Sequence, residues 1–197
     1  MGPLNMTLRT TDLVAKGKRV ALLGAALASG LTATPAFAVT ADGSLGATST
    51  GTVDITASVP ARARITGLVD VTFPNQDPAV AASFARNVCI WSNTATKGYT
   101  IRATGDGAAN AFTIRNGVLT PVPYSVQWAA TSGQTSGTAL TTGTASATLT
   151  TTAVNQTCSA APTSTASLII GIATTDLSTM TAGINYTGTL TLLVTPQ

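Results

Sequence analysis

Along most of this chain apolar side chains fall on every second residue. Tyr99, Ile101 and Ala103 alternate with Thr100, Arg102 and Thr104, and Tyr124, Val126 and Trp128 with Ser125 and Gln127. Successive side chains of a strand point to opposite faces, so this period builds half-covered strands rather than the apolar stripe of a helix. Composition agrees with that reading. Thr, Ala, Gly and Ser dominate, His and Glu are absent, and good helix formers are scarce. Turn signals separate the alternating pieces: residues 74–82 (PNQDPAVAA), Gly105-Asp106-Gly107, and Asn116-Gly117, which predicts a two-residue type I′ hairpin. Residues 86–91 (RNVCIW) read as a strand covered on both faces and 166–172 (ASLIIGI) as a buried strand. Residues 61–73 hold two short alternating pieces, 145–149 and 186–194 one each, and 176–180 one turn of helix. About eight to ten short strands between turns predict an all-β sandwich.

The first residues read as an address rather than as folded protein. Lys16, Lys18 and Arg19 precede the apolar run 20–31, and Ala36-Phe37-Ala38 offers the small side chains that signal peptidase accepts. The run is shorter than the roughly 20 residues a membrane anchor needs. We therefore expect residues 1–38 to be a signal peptide cleaved after Ala38, with the membrane met only in transit. The formal charge of +3 belongs to this leader, which holds Arg9, Lys16, Lys18 and Arg19 against Asp12. Residues 39–197 are formally neutral, six basic against six acidic side chains, which argues against nucleic acid as a partner. Export places Cys89 and Cys158, the only two cysteines, in an oxidising compartment where they are expected to pair, the alternative being two buried thiols. A bridge closing about 70 residues stabilises by roughly 4 kcal/mol in the chain-entropy account.

The sequence carries few groups suited to catalysis. Without His or Glu, general acid–base work would fall to scattered Asp residues, and Asp42 and Asp106 sit beside glycine as turn formers. No spacing predicts a metal, phosphate or cofactor site, so we expect no catalytic residues, no cofactor and no enzyme. Trp91, Tyr99, Tyr124 and Trp128 would serve a sugar-stacking platform, but their phase with aliphatic neighbours favours core packing.

The stretch from Gly51, residues 51–59 (GTVDITASV), places Val53, Ile55, Ala57 and Val59 on one face. It stands behind a small polar leader, residues 39–50, and ahead of Pro60, so it is free either to pack into its own domain or to reach a neighbouring molecule. Together with the ending at 182–194 (AGINYTGTLTLLV) and the single cysteine pair, it resembles pilin subunits of chaperone-usher fimbriae, particularly the archaic and alternative types with spore coat protein U-like domains. The resemblance implies an immunoglobulin-like β-sandwich over 61–197 that lacks one strand, with 39–60 as an extension donated to the next subunit. It also implies a last strand presenting Tyr186, Gly188, Leu190, Leu192 and Val194 to the groove and to a periplasmic chaperone, an outer-membrane usher, and copies of itself or sister pilins as partners. The ending Thr195-Pro196-Gln197 departs from the penultimate Tyr of the best-known pilins. The alternative expectation is a self-contained secreted β-sandwich that binds carbohydrate or a surface through exposed Trp91 or Trp128.

Overall fold

A strand is half a structure, because its backbone N–H and C=O groups need partners beside it. The computed structural model describes residues 41–197, which divide into residues 41–56 and a larger unit, 57–197. In the larger unit the first sheet runs β1 (Ala63–Thr66), β2 (Ala82–Ser92), β9 (Ala166–Ile172), β6 (Ser125–Ala129) and β7 (Thr138–Ala139), every neighbour antiparallel. The second runs β10 (Leu190–Pro196), β3 (Gly98–Gly105) and β8 (Leu149–Thr150), also antiparallel. A small hairpin of β4 (Thr113–Ile114) and β5 (Val122–Pro123) and one helical turn, α1 (Thr174–Leu177), complete the described elements longer than a bridge, apart from a short 3-10 turn. The expected all-β sandwich is what forms.

The alternation now has a location. Val88 and Ile90 of β2, Val126 and Trp128 of β6, and Ala166, Leu168 and Ile170 of β9 meet Tyr99, Ile101 and Ala103 of β3 in one core between the sheets. Full burial of each large apolar side chain contributes about 1.5 to 3 kcal/mol, so this seam supplies most of the drive to fold. A second cluster at one end joins Ala82, Val122, Ile172 and Leu177, with Ile114, Tyr124, Met180 and Tyr186 packed around it. On the opposite face of β2, Cys89 pairs with Cys158 over a sequence separation of 69 residues, with Ala153 and Trp91 beside it. From Val88 to Trp91 the strand is thus covered on both faces, as expected, while Arg86 and Asn87 at the start of the predicted stretch are exposed.

Where the β2–β9 ladder ends, side chains take over. Thr165 Oγ1 accepts from Ile90 N at 2.9 Å, and Thr151 Oγ1 donates to Ile90 O, so a core strand loses no backbone bond at the edge of its partner. Ser167, fully buried on β9, accepts from Gln134 N at 3.0 Å. Its hydroxyl faces Thr131 O and Asn87 Oδ1, which also accepts from Gly133 N. These bonds pin the Thr- and Ser-rich loop after β6 to the sheet.

Three expectations are corrected. Asn116-Gly117 makes no two-residue hairpin: the ladder closes at Ile114↔Val122, because Arg115 bonds Thr187 in both directions at 2.9 Å and draws the chain aside. Residues 69–73 form no strand, although Val71 and Phe73 pack against the core. The last strand starts at Leu190 rather than 186, since Thr187 is held by Arg115 and Tyr186 is held in the end cluster, its hydroxyl accepting from Thr181 N at 3.2 Å.

Replacing both Cys89 and Cys158 with Ala should lower the unfolding free energy by roughly 4 kcal/mol in urea titration under non-reducing conditions. A second expectation concerns alkaline pH. Burial raises the Tyr99 hydroxyl above its ordinary 10.0, against a smaller lowering by its hydrogen bond with Trp128. The unfolded chain therefore gives up this proton first, and stability present below about pH 10 is lost as pH rises further. Tyr99→Phe should reduce that alkaline loss, with Tyr124, also raised, keeping part of it. At neutral pH it should cost about 1 to 3 kcal/mol, because Trp128 Nε1 loses the hydroxyl it donates to at 3.2 Å.

Candidate functional site

Each of the two larger sheets has two edges, and these four edges are unequal. β7 and β8 span two residues each and β1 spans four, whereas β10 runs from Leu190 to Pro196 with a partner, β3, on one side only. The backbone bond from Gln197 N to Gly98 O at 3.0 Å sets the phase of that pairing. By the two-residue alternation of an antiparallel ladder, Thr191, Leu193 and Thr195 bond β3, while Leu190, Leu192 and Val194 aim N–H and C=O at the free edge. Pro196 shares their phase and has no N–H, so it ends the bondable stretch without weakening the β3 ladder. An unbonded edge of this length is a template for pairing with another chain.

Beneath the edge the core is only half closed. Leu190, Leu192 and Val194 are partly buried, as is Ile65 of the nearby β1, and all four pack against the main core. Val88, Ile90, Tyr99, Ile101 and Ala103, deeper in the same core, are at most 1% exposed. Cα atoms of β1 and β10 come within 8 Å of each other, but the two strands do not pair. A strand bonded to both would set them about 9 to 10 Å apart, twice the interstrand spacing.

The alternating segment at 51–59 forms no ladder of its own. Its one backbone pairing is a bridge in which Thr52 N donates to Ala41 O at 3.0 Å. Val53 is 72% exposed, Ile55 91% and Val59 83%, and Ala57 is exposed as well. Within one chain the segment is an alternating stretch without a ladder, because alternation specifies a buried face and not the backbone that lies beside it.

Sequence reasoning missed Asn93. Its Oδ1 accepts from Arg62 N at 2.6 Å, its Nδ2 donates to Pro60 O at 2.9 Å, and its own N donates to Arg62 O at 3.1 Å. The one local signal is an Asn directly after a strand. The match to a backbone 31 residues away exists only in the fold.

The other expected residues are dispersed. Tyr186 and Gly188 precede β10, Gly188 packed against the backbone of Thr113. Ala36 and Ala38 lie outside the described residues. Trp128 is 3% exposed, which removes it from any sugar-stacking surface, and Trp91 is half-buried on a cleft of about 420 Å³ with Val59, Pro60, Arg62, Asn93 and Gln156. A second cleft of about 440 Å³, lined by Trp128, Leu140, Leu149 and small residues between β7 and β8, lies away from β10. Among the described residues no three His, Cys, Asp or Glu side chains converge as metal ligands, and no helix is long and apolar enough to cross a membrane. The intramolecular disulfide is compatible with an oxidising compartment. No protein-family model matches the chain, and no curated protein matches it.

Gly188→Ala is expected to destabilise the fold by about 1 to 3 kcal/mol in chemical denaturation, because the added methyl would stand 2.7 Å from Thr113 O.

Proposed function

We propose that this chain is a structural subunit of a fimbrial polymer of the chaperone-usher type, in which residues 51–59 of one copy pair with the free edge of β10 on the next. One observation carries the reading: a single chain holds a long unbonded edge over half-covered apolar side chains and, separately, an unpartnered alternating segment with the residues to cover them. Strand addition supplies main-chain hydrogen bonds for affinity and alternate side chains for specificity. Burying Val53, Ile55 and Val59 contributes roughly 5 to 9 kcal/mol before ordering costs. The same contact repeated head to tail makes a filament.

Charge supports the pairing too. Residues 41–56 carry Asp42 and Asp54 and no base, while 57–197 carry Arg62, Arg64, Arg86, Lys97, Arg102 and Arg115 against Asp70, Asp77, Asp106 and Asp176, minus two facing plus two. Opposite net charges on the lent segment and the receiving domain favour encounter between copies. In this reading the chain is exported, a periplasmic chaperone covers the β10 edge until an outer-membrane usher orders assembly, and the product is a cell-surface fibre for attachment or biofilm. A carbohydrate-binding module is the second reading, favoured by the cleft at Trp91.

Ile55→Asp tests the first reading. A carboxylate on the inserted face should weaken assembly of the exported protein by about 100-fold or more, read by sedimentation, with the near-ultraviolet spectrum of the sandwich unchanged. Assembly at wild-type strength in this variant would overturn it, and loss of sugar binding in Trp91→Ala would favour the second reading instead.

A further inference from the structure

We infer that Asn93 decides whether residues 51–59 reach a second copy or fold back on their own β10, an inference that rests on the strand-lending reading above. The β1–β2 register ends at Ala63↔Ser92, and there β2 stops and turns, Lys97 N donating to Thr94 O at 2.9 Å. Asn93 continues the ladder past that end. Its N–H bonds Arg62 O as the next backbone pair would, its side-chain Oδ1 replaces a backbone carbonyl for Arg62 N, and its Nδ2 holds Pro60 O. Residues 60–62 are thereby kept in line with β1, and Val59, 83% exposed, precedes them on the cleft with Trp91 and Gln156.

That direction discriminates between partners. To lie along the β10 edge beside its own β1, a chain's residues 51–59 must reverse within residues 60–62, and every one of the three Asn93 bonds opposes the reversal. Segments arriving from a second copy need no reversal. Asn93 is a positioning residue in this scheme: it acts through the backbone of residues 60–62, by fixing where the lent segment leaves its own domain. Self-closure would cap the edge and remove the subunit from polymerisation.

The test uses the exported full chain with Asn93→Ala, alongside a second variant with three glycines inserted between Val59 and Pro60, which frees the reversal and leaves Asn93 in place. Thermolysin cleavage at Val53 and Ile55 reports whether the segment is covered, and sedimentation reports assembly. In the wild type the segment should be cut in the monomer and protected only as assembly rises with concentration. Both variants should protect the segment in the monomer, independent of concentration, and weaken assembly roughly tenfold, the scale of one or two net hydrogen bonds. Variant monomers cut as fast as wild type, with assembly unchanged, would overturn the role of Asn93 while leaving strand lending intact. A wild-type segment cut equally at every concentration would overturn the strand-lending reading, and this inference with it.

Discussion

The proposed strand lending depends on the unbonded side of β10. A backbone N–H or C=O without a partner is tolerated in water and costly once covered, so an edge strand invites pairing as soon as an apolar surface beneath it demands cover. Leu190, Leu192 and Val194 combine the two demands in the same residues: their backbone groups face the free edge and their side chains rest, half-covered, on the core. Pro196 limits the demand at one end. The short β7 and β8 edges make no comparable offer.

An open edge is tolerable only if the rest of the sandwich holds without it. The seam from β2, β9 and β6 to β3 is closed, and the disulfide ties β2 to the crossing that comes after β8. The threonines at 151 and 165 and the serine at 167 satisfy backbone groups that neighbouring strands do not reach. These three hydroxyl side chains pack as small buried residues and also bond backbone groups where ladders end.

Local order was legible wherever one face was fully buried. Tyr99, Ile101 and Ala103 stand where their alternation puts them, and Ala166–Ile172 matches its apolar run residue for residue. Legibility failed where a partner, rather than a periodicity, decides the outcome. Residues 51–59 have the alternation of a strand and no ladder, since pairing depends on another backbone. Asn116-Gly117 and Tyr186 were drawn from their expected places by a bridge and by an end cluster, both between residues far apart in sequence. Asn93 had almost no local signal, because its side chain serves a backbone segment that only the fold brings near.

Amide hydrogen exchange along β10 measures the central claim most directly. The account predicts that in the monomer Leu190, Leu192 and Val194 exchange far faster than Thr191, Leu193 and Thr195, and that in the assembled state the three fast amides become as protected as their neighbours. Equal protection of all six in the monomer, or no gain in protection on assembly, would contradict it.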